Sequence, residues 1–125
     1  MTTPAEKILV VEDEAIISTF ISRILKSHGY LVTTTRKGKE AFEKIQTEHF
    51  NLILLDVGLP DMKGTDLLKM IRETDHDIIV IMITDNPRLG TSIDSINHGA
   101  DGYLVKPIEE KDLVDIVEPT FRRCL

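Results

Sequence analysis

The stretch NLILLDVGLPDMKG, residues 51–64, decides the fold class of this chain. The apolar run Leu52–Leu55 has the length and composition of a buried strand, yet it leads directly into Asp56. A carboxylate at the rim of a core costs free energy unless a charged group or a metal ion compensates it. Pro60 and Gly64 follow and are typical of a tight loop. The stretch therefore predicts a buried strand that ends at a polar site.

Apolar runs of strand length recur along the chain and alternate with segments of helical spacing. The predicted strands are Ile8–Val11, Leu31–Thr35, Leu52–Leu55, Ile78–Ile83 and Gly102–Val105. The helical segments are marked by the apolar residues Ile17 and Ile24, Ala41 and Ile45, Leu67 and Ile71, Leu89 and Ile96, and Leu113 and Val117. Such alternation predicts an α/β fold of five βα units, with right-handed crossovers and helices on both faces of a parallel sheet.

Glycine and proline positions predict where some of these helices end. Gly29 and Gly99 directly follow helical patterns, and we expect each to be the residue that terminates its helix. Pro119 falls inside the last apolar stripe, where it removes a backbone hydrogen bond. It predicts a kink or an end of the last helix.

The composition is that of one globular domain, residues 1–125, with 42% hydrophobic and 29% charged residues. The net charge is −6, and adjacent basic residues occur only as the two pairs Arg36–Lys37 and Arg122–Arg123, which argues against nucleic-acid binding. The longest apolar run, Ile78–Ile83, is too short to span a membrane. The first residues lack the apolar core of a signal peptide, so we expect a cytoplasmic protein with no membrane interaction. Cys124 is the only cysteine, which excludes an internal disulfide.

Polar residues follow four of the predicted strands, at the ends where parallel strands meet one edge of a sheet. Glu12 and Asp13 follow the first strand, Asp56 the third, Thr84 the fourth and Lys106 the fifth. Three carboxylates carry about −3 and the ammonium about +1, which leaves a need for about +2. Oxygen ligands with this charge predict a Mg²⁺ site that can accept a phosphoryl group. Asp56 is then a nucleophile that forms an acyl phosphate, with Thr84 and Lys106 donating hydrogen bonds to phosphoryl oxygens.

Four stretches of the chain, taken in order and at their spacings, resemble one known family. They are ILVVEDE, LILLDVGLPDMKG, IMIT and DGYLVKP. Together they resemble the receiver domain of two-component response regulators, of the chemotaxis-regulator type, over nearly the whole chain. The resemblance implies a flavodoxin-like (βα)5 three-layer sandwich, with a five-stranded parallel sheet of order 2-1-3-4-5.

The resemblance also implies a role for each acidic residue of the edge. Asp56 would accept a phosphoryl group from a histidine kinase or a phosphotransfer protein. Asp13 and Asp56 would bind Mg²⁺ directly, together with the backbone carbonyl of Gly58. Glu12 would act through a metal-bound water.

Other residues are implied in holding the phosphoryl group and in switching. Thr84 and Lys106 would hold the phosphoryl oxygens, and the Lys106–Pro107 peptide would be cis. Tyr103 would be the switch aromatic that turns inward when Thr84 moves. The surface formed by the fourth and fifth predicted helices and the fifth strand would then change. It would control a downstream effector domain or protein, so the domain would signal and would not be an enzyme.

Each of these residues also has a purely structural interpretation. Glu12, Asp13 and Thr84 could cap the segments that follow them. Lys106 could be an ordinary solvated lysine, and Tyr103 could be a half-buried packing residue.

Three other functions compete with the receiver interpretation. A phosphatase of the haloacid-dehalogenase type needs a second Asp two residues after the nucleophile, where this chain has Gly58. A flavin-binding module needs a hydroxyl- and glycine-rich phosphate cradle, where this chain has the acidic residues 12–14. A receiver that is never phosphorylated is favoured only by Asp85, which follows Thr84 where the family usually has a small residue. Its charge should oppose an incoming phosphate dianion.

Overall fold

Five parallel strands form one sheet in the structure, a computed structural model that describes residues 5–75, 77–85 and 99–122. The strands are β1 Lys7–Val11, β2 Leu31–Thr35, β3 Leu52–Asp56, β4 Ile79–Thr84 and β5 Gly102–Val105, in the order β2-β1-β3-β4-β5. The described helices are α1 Ala15–Ser27, α2 Gly38–Thr47, α3 Gly64–Thr74 and α4 Glu110–Arg122. The predicted fold class and strand order are therefore confirmed. The predicted helix through Leu89 and Ile96 lies outside the described residues, as does Cys124.

Both faces of the sheet are covered by helices, because successive residues of the central strands point to opposite sides. Ile8 and Val10 of β1 belong to the core cluster that also contains Leu25 of α1 and Val117 of α4. Leu9 of β1 belongs to the second cluster, which is built with α2 and α3. Every residue of β3 is buried. Burial of each such aliphatic side chain stabilises the fold by about 1.5–3 kcal/mol, which explains the continuous apolar runs of the sequence.

Two strands extend one residue further than their apolar runs. Asp56 is the last residue of β3, where it lies in register with Ile83 of β4. Thr84 is the last residue of β4, in register with Val105 of β5. The ladder thus includes both polar residues, and their backbones are fixed by the sheet before any ligand binds.

The C-terminal ends of α1 and α4 lie close together, because Tyr30, shortly after α1, contacts Phe121 of α4. Gly29 has a φ of 91° directly after the C-cap of α1, so the prediction that it terminates this helix is confirmed. At Pro119 the sequence predicts a kink or an end of the last helix, but α4 continues to Arg122 and does not end there. Its last turn is held because the ring of Phe121 contacts Tyr30 at 5.3 Å between centroids. Tertiary contact therefore outweighs the one backbone hydrogen bond that proline removes.

Candidate functional site

The carboxyl ends of β1, β3, β4 and β5 meet at a cavity of about 220 Å³. The residues that line it are Asp13, Glu14, Asp56, Val57, Gly58, Thr84, Asp85 and Lys106. Glu12 lies fully buried beneath this edge and contacts Lys106. The structure thus brings together all five polar side chains that the strand ends predict.

Lys106 is the basic group that these carboxylates share. Its Nζ atom lies 3.1 Å from Oδ2 of Asp56, 3.3 Å from Oε2 of Glu12 and 3.3 Å from Oε1 of Glu14. Partial burial acts to lower the pKa of Lys106. The hydrogen bond and charge of Asp56 outweigh this effect, with a further contribution from Glu12, and they raise the pKa above its usual value. Lys106 is therefore a permanent cation in this site.

Glu12 shows that the site holds more negative charge than Lys106 can balance. Its Oε1 accepts the Glu14 backbone N–H at 3.2 Å, while its buried Oε2 accepts no well-aligned hydrogen bond from the described part of the chain. Burial first, then the hydrogen bond and the charge of Asp56, raise the pKa of Glu12 to about 8. A raised carboxyl pKa means that this side chain favours the protonated form until a cation compensates its charge.

Three carboxylates are arranged so that one ion can reach all of them. One oxygen each of Glu12, Asp13 and Asp56 lies within 4.8 Å of the others. Hard oxygen donors, excess negative charge and an open cavity for water are what Mg²⁺ requires. The buried, poorly partnered Oε2 of Glu12 also fits such a cation. The donor set of this site therefore fits a magnesium ion.

The loop that follows Asp56 is tightly folded against the end of β3. The backbone N–H of Gly58 donates to Oδ1 of Asp56 at 2.9 Å, and Gly58 forms an antiparallel bridge with Lys63. The N–H of Gly64 donates to the Val57 carbonyl at 2.8 Å. A Cβ at Gly64 would lie 2.3 Å from the Asp56 carbonyl oxygen, so only glycine fits there. This loop thereby orients the Asp56 carboxylate.

The strand-end residues and the fold together match a known family. The family model described as response regulator receiver domain matches residues 8–118. The chain belongs to the response regulator receiver domain family. Receiver domains of this family are signalling domains of two-component systems.

Solved and curated relatives agree with this assignment. A CheY-like receiver domain protein from Methanospirillum hungatei is 35% identical, with a TM-score of 0.91 over 96% of both chains. The cell cycle transcriptional regulator CtrA of Caulobacter vibrioides is 30% identical over 94% of this chain and 51% of its own length. The alkaline phosphatase synthesis transcriptional regulatory protein PhoP of Bacillus subtilis is 35% identical over 94% of this chain and 49% of its own length. The receiver domain thus spans about half the length of these two regulators.

The remaining predicted residues of the receiver domain lie beside the cavity or on β5. The Thr84 carbonyl accepts the Lys106 backbone N–H at 2.7 Å, which ties the end of β4 to the residue after β5. The peptide bond between Lys106 and Pro107 is cis. Tyr103 lies on β5 with 40% of its surface exposed, in register with Met82.

Two acidic residues of the receiver domain were not predicted as part of the site. Glu14 contacts Lys106, and the only sequence signal for it is a third acid after the first strand. Asp61 lies in the loop after β3 and accepts hydrogen bonds from the backbone N–H groups of Gly38 and Lys39. The sequence signal for Asp61 is indirect. The N-cap residue of α2 is Lys37, whose side chain has no acceptor for the free N–H groups at the start of the helix.

An apolar groove of about 230 Å³ adjoins the site between α1 and the segment after β5. It is lined by Ile16, Ile17, Phe20, Lys106, Pro107 and Ile108. Ile16 is 86% exposed and Phe20 is 41% exposed, which is unusual for such large apolar side chains.

Across the described residues, no helix is both long enough and apolar enough to cross a lipid bilayer.

Proposed function

We propose that this receiver domain is a phosphoacceptor and that Asp56 carries the phosphoryl group. The observation that carries the proposal is the position of Asp56: its buried carboxylate lines the cavity and lies 3.1 Å from the Lys106 ammonium. Glu12 and Asp13 each offer an oxygen within 4.8 Å of the Asp56 carboxylate. A carboxylate held by a cation and aimed into an open cavity can attack an electrophilic phosphorus.

The chemistry is transfer of one phosphoryl group to the Asp56 carboxylate. A carboxylate oxygen of Asp56 forms a bond to phosphorus, while the bond from phosphorus to the donor breaks and the donor keeps that electron pair. Lys106 and Thr84 donate hydrogen bonds to the phosphoryl oxygens and so hold the negative charge that accumulates there. Asp13, Asp56 and the Gly58 carbonyl would hold Mg²⁺, with Glu12 acting through a water, and the ion would supply the missing positive charge.

The donor that we propose is a histidine kinase or a phosphotransfer protein acting in the cytoplasm. Its reactive group must come within bonding distance of Asp56, and so its surface must cover the rim of the cavity. The apolar groove of Ile16, Phe20 and Pro107 forms part of that rim, because Lys106 lines both the groove and the cavity. An exposed apolar patch with a polar border is the usual surface of a protein partner.

The output of the domain is a change in the surface around β5. Tyr103 lies on the exposed face of β5, beside a depression of about 420 Å³ that Asp115 and Ile116 of α4 also line. Movement of Thr84 toward a phosphoryl group would change the end of β4, which is bonded to Lys106 next to this strand. We propose that this surface, together with the helix predicted through Leu89 and Ile96, binds an effector protein or an output domain.

The proposal includes no turnover of external substrates. Gly58 stands two residues after Asp56 and has no side chain that could protonate a leaving group. A phosphorylated Asp56 would therefore be a signal and would not be an intermediate of a phosphatase.

Intact-mass spectrometry tests the proposal with acetyl phosphate as a small donor. The protein incubated with Mg²⁺ and acetyl phosphate should gain the mass of one phosphoryl group, and peptide mapping should locate it on Asp56. The same incubation with a chelator should give no mass gain. Modification of any other residue, or none in the presence of Mg²⁺, would contradict the proposal.

A further inference from the structure

The start of α2 is capped by a side chain from a distant loop. Lys37 occupies the N-cap position with φ −129° and ψ 150°, and its side chain makes no capping hydrogen bond within the ranges that the structure describes. Instead, the Gly38 N–H donates to Oδ1 of Asp61 at 2.8 Å and the Lys39 N–H donates to Oδ2 at 3.0 Å. The hydrogen bond from Lys39 is the main cause that lowers the pKa of Asp61. Both carboxylate oxygens of Asp61 are thus used to satisfy the free N–H groups of this helix.

The cap also fastens the loop of residues 57–63 at its far end. At the near end, the loop is closed by the bridge between Gly58 and Lys63. At the far end, Met62 packs so closely on α2 that a Cβ at Gly38 would lie 2.6 Å from its Cγ atom. The loop is therefore attached to β3 at its base and to α2 at its tip.

Gly58 is the residue of this loop that matters for the proposed magnesium site. Its N–H donates to Oδ1 of Asp56, and its carbonyl is the third protein oxygen that would bind the ion. A Cβ on Gly58 would meet only Oδ1 of Asp56, at 3.9 Å, so side-chain packing does not restrict this glycine. Because glycine has the greatest backbone freedom, its carbonyl direction depends on how the loop is held.

We propose that Asp61 is a positioning residue for the magnesium site. By fastening the loop to α2, it holds the Gly58 carbonyl and the Asp56 carboxylate in the orientation that binds the ion before any phosphoryl transfer. The inference rests on the proposed phosphoacceptor function and names a residue that lies outside the cavity. Outer groups that orient metal ligands typically change metal affinity by about 10-fold or more.

The coupling must also act in the opposite direction. If Asp61 favours Mg²⁺ binding through the loop, then bound Mg²⁺ must strengthen the hydrogen bonds from Gly38 and Lys39 to Asp61. Amide exchange at Gly38 and Lys39 should therefore slow when Mg²⁺ is added, although neither residue lines the cavity. A purely structural cap would show no such response.

Isothermal titration with Mg²⁺ and amide exchange by NMR test this inference on the unphosphorylated chain. We expect Asp61→Ala to weaken Mg²⁺ binding about 10-fold and to abolish the Mg²⁺ response of the Gly38 and Lys39 amides. Asp61→Asn retains one acceptor oxygen, so its Mg²⁺ affinity should lie between those of the parent and Asp61→Ala. Glu40→Gln is the matched control: it removes an acid from the first turn of α2 but leaves the Asp61 hydrogen bonds, and its Mg²⁺ affinity should equal that of the parent.

The outcomes separate this inference from the proposal on which it rests. Equal Mg²⁺ affinity of the parent and Asp61→Ala, or an equal loss in Glu40→Gln, would overturn the role of Asp61 alone. If the parent binds no Mg²⁺, or if Asp56→Asn binds it as tightly, the metal site itself is wrong and the role of Asp61 falls with it. Should Asp61→Ala fail to fold, Asp61→Asn and the amide response of the parent decide the question.

Discussion

The ammonium of Lys106 lies 3.1 Å from Oδ2 of Asp56, although β4 lies between β3, which ends at Asp56, and β5, which Lys106 directly follows. Both side chains are largely buried, and Lys106 also contacts Glu12 and Glu14. One permanent cation thus serves three carboxylates at the same time. The chemistry that we propose follows from this imbalance, because a site short of positive charge binds a divalent cation and then accepts a phosphoryl group.

Removal of the Lys106 charge should destabilise the protein when no divalent cation is present. Lys106→Met keeps much of the side-chain volume but removes the cation that pairs with the buried Asp56 carboxylate. We expect a loss of about 2–3 kcal/mol in the free energy of unfolding at pH 8, somewhat below the usual cost of breaking a buried pair because water reaches the site. Urea denaturation of both proteins in the presence of a chelator measures this loss. Saturating Mg²⁺ should restore part of the loss, and an unchanged stability without Mg²⁺ would contradict the role of Lys106.

The raised pKa of Glu12 predicts a specific pH dependence of the metal-free protein. The folded state holds a proton on Glu12 up to about pH 8, whereas the unfolded chain releases it near pH 4.5. The native state therefore binds more protons between these values, so the stability contributed by Glu12 is present below pH 4.5 and is lost as the pH rises to about 8. Glu12→Gln should not show this loss. Urea unfolding of both proteins from pH 5 to about pH 8.5 tests it, and parallel pH profiles would argue against the prediction.

The apolar groove beside Lys106 predicts a difference between protein donors and small donors. Ile16→Ser and Phe20→Ser remove exposed apolar surface that a docked protein would cover. We expect transfer from a histidine-phosphorylated kinase domain to slow about 10-fold, as for the loss of an interface anchor. Phosphorylation by acetyl phosphate should be unchanged. Leu31→Ser, which alters another exposed apolar residue on β2, is the control and should affect neither reaction. Equal slowing with both donors would exclude a docking role.

Asp85 predicts an electrostatic barrier to small anionic donors. It is exposed and lines the cavity next to Thr84, where its charge opposes an incoming phosphate dianion. Because water screens the charge, we expect Asp85→Ala to accelerate phosphorylation by acetyl phosphate only about 5-fold at low salt, and less at high salt. Asp77→Ala, at the other end of β4, should leave the rate unchanged. Equal rates for Asp85→Ala and the parent at low salt would exclude the barrier.

The sequence predicts the fold well because its signals are local and repeated. Alternation of apolar runs and helical stripes gives the α/β class, while the strand order 2-1-3-4-5 follows from the family resemblance. Strand-end residues predict the edge site because parallel strands bring their carboxyl ends together. Asp56 and Thr84 extend their strands by one residue, since ladder pairing does not depend on apolarity.

What the sequence does not predict depends on contacts between distant segments. The contact of Glu14 with Lys106 joins residues that are 92 apart in the chain. The cap on α2 comes from Asp61, 22 residues beyond Lys39. At Pro119 the local rule indicates a disturbed helix, but the packing of Phe121 on Tyr30 sustains the last turn. In each case a tertiary contact supplies information that spacing along the chain does not contain.

Transfer of radiolabel from acetyl phosphate to the parent and to Asp56→Asn tests the central claim most directly. We expect the parent to take up label only when Mg²⁺ is present, and hydroxylamine to release that label, as it does from an acyl phosphate. The Asp56→Asn variant keeps the size of the side chain but lacks the nucleophilic carboxylate, and it should remain unlabelled. Equal labelling of the two proteins, in a form that resists hydroxylamine, would show that Asp56 is not the phosphoacceptor.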